Sequence, residues 1–238
     1  MQQLLIITPV KDSIDHTVRT MEAVVQSELN VPHRYVVFND NSTPENTARL
    51  HTEAARLGVE VVDLATLTDH PSPNYLFVLR RCRKEALVDD AGLLIVESDV
   101  TVQRDTLQKL FDGATARPNC GIAAAVTVDE EGKINYPYLY ARGKEGQDYD
   151  CKKHCSFCCS LLTPALLKAC DFDQLDDSKN WFDVTISHDS LAAGLHNYLF
   201  CSLPVLHRPH GSRPWKQLKY TNPIKYYWTK WTKGFDKI

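Results

Sequence analysis

The run GLLIVESDV, residues 92–100, sets the strongest condition on how this chain can fold. Its apolar part, residues 93–96 led in by Gly92, is short and unbroken, the pattern of a strand buried on both faces. The run then stops at Glu97-Ser98-Asp99, two carboxylates one residue apart. Burying a carboxylate without a partner is costly. A core strand that ends this way must deliver its acids to a place where something positive meets them.

The flanking chain supplies the rest of a layered α/β sheet. Residues 4–8, 35–38 and 59–62 are short apolar strands, and amphipathic stretches separate them. Ser13 stands where a helix cap belongs, ahead of Ile14, Val18, Met21 and Val25 at one-face spacing. Thr43-Pro44 reads as a cap followed by proline at the first helical position, and Gly58 closes that helix. Residues 75–88 form a third helix. Strand and helix alternating at this interval predict parallel βαβ units, a mostly parallel twisted sheet with helices on both faces. The second half is less regular. A strand is expected over 122–128, a turn at DEEGK, a long loop or hairpin over 129–155, and a short helix from Thr163-Pro164. A further helix is expected over 188–199 and a last strand over 201–206.

At 238 residues, with 43% hydrophobic and 24% charged residues, the chain is ordinary globular material for one domain. Its charge of −3 is unevenly spread. Residues 213–238 carry seven Lys/Arg and one acid, a balance of +6, which leaves −9 on the preceding 212. We therefore separate a domain over 1–212 from a basic, aromatic tail over 213–238. No run reaches bilayer-spanning length, and the N-terminal MQQLLIITPV reads as a first strand rather than a signal peptide. The eight cysteines are accordingly read as reduced thiols of a cytosolic protein.

In open α/β sheets ligands bind beyond the carboxyl ends of the parallel strands. There the first strand delivers Thr8-Pro9-Val10-Lys11-Asp12, the second Asn39-Asp40-Asn41-Ser42, and the fourth Glu97-Ser98-Asp99. Neither G-x-G-x-x-G nor G-x-x-x-x-G-K-[ST] occurs, so a diphosphate held here needs a different counter-charge. A hard divalent cation on carboxylate oxygen supplies one. An acid at a strand end is also an ordinary helix cap or turn former, and Arg80, Arg81 and Arg83 also fit a solvated basic face.

Five segments in order, ITPVKDS, VVFNDNSTPENT, LRRCRKEAL, LLIVESDV and ISHDSLA, resemble the motif series of the family 2 glycosyltransferases with the GT-A fold. Asn39, Glu97 and His188 depart from the acids usual at those places. The resemblance implies a nucleotide-sugar-dependent transferase, with a UDP-linked donor expected, that extends a glycan or glycolipid with inversion. It implies that Thr8, Pro9 and Asp40 hold the nucleotide base, that Arg80 is the donor-site arginine, and that Glu97 with Ser98 meets the ribose. Asp99 would ligate Mn²⁺ or Mg²⁺. Asp189 would be the catalytic base, with Asp183 of WFDVT as rival, and His210 of LHRPHGSRPW would complete the metal shell in preference to His207.

Two features stay outside that pattern. CKKHCSFCCS, residues 151–160, has spacing that fits zinc or an iron–sulfur cluster, although no second pair of ligands follows, and residues 157–162 also read as a buried, thiol-rich segment. The tail interleaves Lys with Tyr and Trp. It suits a lid over the donor, contact with the inner face of an anionic membrane, or a helix packed on the domain; nucleic acid is not the expected partner. Two rival functions follow: a nucleotidyltransferase of similar layout, and a non-catalytic Cys/His metal module that binds nucleic acid or membrane through this tail.

Overall fold

The computed structural model describes residues 1–178, 181–209, 218 and 222–232. Strand β1 (Leu4–Val10) lies between β2 (His33–Asn39) and β4 (Gly92–Val96), parallel to both, and β3 (Glu60–Asp63) continues the sheet beyond β2. Alternate side chains leave opposite faces. Leu5 and Ile7 join one core layer with Leu79 and Ile186, while Leu4 and Ile6 join another with Val24 and Leu110. Helices α1 (Ile14–Val25), α2 (Pro44–Leu57) and α4 (Thr106–Thr115) cover one face. Helices α3 (Tyr75–Val88), α5 (Pro164–Ala169) and α6 (Phe182–Ala192) cover the other. In β4, Leu93, Leu94, Ile95 and Val96 expose nothing, and burying each such side chain contributes about 1.5–3 kcal/mol.

The helix ends follow local chemistry. The Thr43 hydroxyl accepts from the Asn46 N–H at 3.3 Å, and Gly58 takes the left-handed φ of +69° that ends α2. The Thr163 hydroxyl likewise accepts from the Leu166 N–H at 3.4 Å and opens α5.

Beyond β4 the sheet is mixed. Strand β8 (Cys159–Leu162) runs antiparallel between β4 and β6 (Cys120–Val128), and β9 (His196–His207) runs parallel to β6. Short strands β5 (Val100–Thr101) and β7 (Tyr149–Asp150) pair antiparallel with β9. The parallel expectation thus describes β3-β2-β1-β4 and the β6–β9 pair, while β8, β5 and β7 pair antiparallel. Between β6 and β8 the chain returns through loop and single turns rather than a crossover helix, and such a return pairs antiparallel. The helix expected over 188–199 is corrected too: it begins at Phe182 and stops at Ala192. Gly194, at φ +79°, then turns the chain into β9, whose pairing with β6 overrides any helical preference of 196–199.

Helix α7 (Pro223–Thr232) docks through buried Tyr226 and leaves Ile224 and Trp231 84% and 77% exposed. No helix among the described residues is long and apolar enough to cross a membrane.

Candidate functional site

The carboxyl ends of β1, β2 and β4 open on one cavity of about 1060 Å³, lined among others by Pro9, Lys11, Asp40, Arg80, Glu97, Ser98, Asp99, Cys158, Asp183 and His207. The three strand-end clusters meet there because the strands are parallel and in step, with Val10 beside Asn39 and Ile7 beside Ile95.

The individual roles are less uniform. Pro9 and Val10 line the cavity, and Thr8 precedes them with its side chain wholly buried, the hydroxyl 2.9 Å from that of Tyr35. Asp40 reaches the cavity, yet its carboxylate accepts from the Ser72 hydroxyl (2.7 Å), the Asn74 N–H (2.8 Å) and the Asn74 side chain (2.7 Å). It therefore fixes the loop that opens α3. Asn39, where the motif series has an acid, donates from Nδ2 to Asp63 at 2.7 Å and to the Thr47 hydroxyl at 3.0 Å. An acid there would face Asp63 as a like charge, which accounts for the amide.

Two antiparallel pairings assemble the densest polar group. Val96 opposite Cys159 places Cys158 beside Glu97, whose N–H bonds the Cys158 carbonyl at 2.9 Å. Val100 opposite His207 places that imidazole beside Asp99, with Nε2 3.5 Å from Oδ2. The Cys158 thiol donates to Glu97 Oε2 at 3.2 Å and lies 4.0 Å from His207 Nε2. His207 Nδ1 is 2.8 Å from the Tyr136 carbonyl, so this nitrogen carries the hydrogen and Nε2 faces the acids. Burial, and then the neighbouring Asp99 charge, push the Glu97 carboxyl up to about 7. Burial opposes the His207 imidazolium, but the bond to Asp99 and the charges of Asp99 and Glu97 outweigh it and raise His207. Two crowded carboxylates facing an imidazole nitrogen and a sulfur make a donor set that fits a divalent cation, which would relieve their repulsion.

The two candidate acids of α6 are placed differently. Asp189 sits on the exposed side of α6, outside the cavity lining, whereas Asp183 in the first turn of α6 lines it. Arg80 borders the cavity, but its guanidinium donates to the carbonyls of Phe172 (2.9 Å), Asp173 (3.3 Å) and Leu175 (2.8 Å) and pairs with Asp177 at 3.0 Å. It ties down the segment leading into α6. His210 lies outside the described residues.

The cysteines do not gather into one cluster. Interaction with the neighbouring Cys155 thiol holds the Cys151 thiol below its ordinary range, and the Tyr140 hydroxyl is 3.5 Å from its sulfur. Cys159 is buried in the core layer of α1 and α4, and Cys158 joins Glu97 and His207. Sequence reading missed Cys158 as a site residue and set His207 behind His210. The one local signal was a His directly after an apolar strand.

No protein-family model and no curated protein matches the chain. Solved structures do match it. A mannosyltransferase from Pyrobaculum calidifontis, in complex with GDP-Man and Mn²⁺, superposes with a TM-score of 0.64 at 13% identity, over 96% of this chain and 64% of that one. TarS 1-349 of S. aureus in complex with UDP-GlcNAc gives 0.61 at 13% identity, over 88% and 60%. GalNAc-T7 with UDP, GalNAc and Mn²⁺ gives 0.63 at 11%, over 89% and 45%. The chain has the GT-A glycosyltransferase fold and spans less than two thirds of the length of each of these proteins.

Proposed function

We infer that this chain is a cation-dependent glycosyltransferase that moves a sugar from a nucleotide-sugar donor to a hydroxyl of a glycan or glycolipid, with inversion. The observation that carries this reading is the convergence of Glu97, Asp99 and His207 on a large cavity that Asp183 also lines. GDP-Man, UDP-GlcNAc and UDP in the superposable proteins support a nucleotide sugar as donor. Assignment to family 2 rests on the five sequence motifs.

Asp99, His207 and Glu97 would hold Mn²⁺ or Mg²⁺, which would offset the charge on the departing diphosphate. Ser98 and Glu97 offer the ribose an acceptor edge. Pro9 and Val10 give the base an apolar floor, while Asp40 shapes that floor by holding Ser72 and Asn74. Lys11, anchored on the carbonyls of Asp40 and Asn41 at 3.3 and 3.1 Å, places a positive charge at the cavity. Arg80 acts through the 172–177 segment. Asp183 takes the proton of the acceptor hydroxyl as its oxygen attacks the anomeric carbon, opposite the leaving diphosphate. Peripheral contact with a membrane through residues 213–238 belongs to the same reading; within them α7 exposes Tyr227, Trp228 and Trp231.

Thermal shift with UDP, GDP and CDP, with and without Mn²⁺, tests the donor site. Metal-dependent stabilisation by one nucleotide, lost in Asp99→Asn, is expected. A chain that no nucleotide stabilises, or an Asp99→Asn variant indistinguishable from the parent, overturns the assignment.

A further inference from the structure

The cation reading leaves one group at the site unused. Cys158 is 3% exposed and belongs to no disulfide. Its sulfur, Glu97 oxygen and His207 Nε2 all lie within 4.8 Å of one another, and Asp99 Oδ2 lies 3.5 Å from the same imidazole nitrogen. Around a tetrahedral ion with a metal–sulfur bond of ~2.3 Å and a metal–nitrogen bond of ~2.0 Å, sulfur and nitrogen stand about 3.5 Å apart. The sulfur–oxygen separation of 3.2 Å and the sulfur–nitrogen separation of 4.0 Å bracket that value. Small side-chain rotations would close the set.

We propose that Cys158 is a ligand of the bound cation, which makes the centre a mixed carboxylate, imidazole and thiolate site that accepts the Mn²⁺ or Mg²⁺ of that reading but holds Zn²⁺ and Co²⁺ more tightly. The proposal rests on the cation reading above and deepens it. On binding, the Cys158 S–H bond now donated to Glu97 breaks, its proton leaves to solvent, and a sulfur–metal bond forms. Softness decides the preference. Thiolate favours borderline ions over hard ones, and affinity of such a site for divalent first-row metals generally rises from Mn²⁺ towards Cu²⁺. His207 is already set for this role, because its Nδ1–H is committed to the Tyr136 carbonyl and its other nitrogen faces the sulfur.

The test is Co²⁺ titration of the metal-free full chain, followed by near-ultraviolet absorption. A thiolate-to-cobalt charge-transfer band should grow in with one equivalent of metal. It should vanish in Cys158→Ser and persist in Cys159→Ser, whose sulfur lies in the core. Loss of the thiolate should weaken Zn²⁺ binding by at least the ~10–100-fold typical of losing an outer-shell partner, and Mg²⁺ binding far less. Should Cys158→Ser fail to fold, Zn K-edge absorption of the unaltered chain decides, with one sulfur expected at ~2.3 Å. Co²⁺ bound with no sulfur band, a band that survives Cys158→Ser, or an all-nitrogen-and-oxygen zinc shell overturns Cys158 ligation and leaves the cation reading standing. A chain that takes up no divalent metal overturns both.

Discussion

The two halves of the sheet build the same cavity by different means. On the parallel side, β3-β2-β1-β4, each polar cluster stands at the end of its own apolar strand, and strand alignment alone brings the clusters together. On the mixed side, Cys158 and His207 reach the cavity only because β8 and β9 pair with strands 60 to 110 residues away. The parallel half contributes acids that need a counter-charge. The mixed half contributes the imidazole, the thiol and, through α6, Asp183. Motif reading therefore finds the acids, ranks His207 and Asp183 second, and misses the thiol.

The largest expected effect lies on the mixed side. Asp183→Asn should lower turnover by about 10²–10⁴-fold while cation and nucleotide binding persist, and Asp189→Asn should stay within about twofold. Initial rates for the two variants side by side separate them, and the opposite ranking would return the base to Asp189.

Titration joins the halves. Glu97 ionises near 7 in the native chain against an ordinary 4.5, so between those values the folded state holds an extra proton. Stability of the metal-free chain should accordingly fall as pH rises through that window. His207, raised by its acids, stabilises the fold below its ordinary range and loses that contribution at higher pH, so it acts in the same direction. Cation affinity should run the other way, dropping at least ~10-fold per pH unit below 7. Calorimetric titrations at pH 5.5, 6.5 and 7.5 check this, and Glu97→Gln should flatten the stability profile.

The parallel side is expected to answer in stability instead. Asp40→Ala strands the Asn74 N–H and two further donors, at a cost of about 2–3 kcal/mol in urea unfolding. Asn39→Asp sets a second carboxylate against Asp63 and should cost about 1–2 kcal/mol at neutral pH, recovering in acid as the pair takes up a proton. If Asp40→Ala leaves stability unchanged but abolishes nucleotide binding, base recognition rather than loop anchoring is its role. Smallest is Trp231→Ala on the exposed face of α7, which should stay within about 0.5 kcal/mol.

Read as sequence, the strand of residues 92–96, the Thr43-Pro44 and Thr163-Pro164 helix starts and the Gly58 stop all correspond to what forms, because each depends on neighbours a few residues away. The 188–199 helix failed where a long-range ladder to β6 outweighed local preference. Alternation along β1 turns the Thr8 side chain to Tyr35. The CKKHCSFCCS run fitted either a shared metal or a buried thiol-rich segment, and the structure buries Cys151 and Cys155 in one core layer and Cys158 and Cys159 in the other.

What the sequence determined by itself is the parallel half: apolar runs of strand length, their caps, and acids placed where each run ends. Which acid faces a cation, which histidine joins it, that a thiol stands among them, and that Asp183 rather than Asp189 borders the cavity were decided by tertiary structure. The reason is that antiparallel register between distant strands fixes those neighbours, and no local pattern records the register.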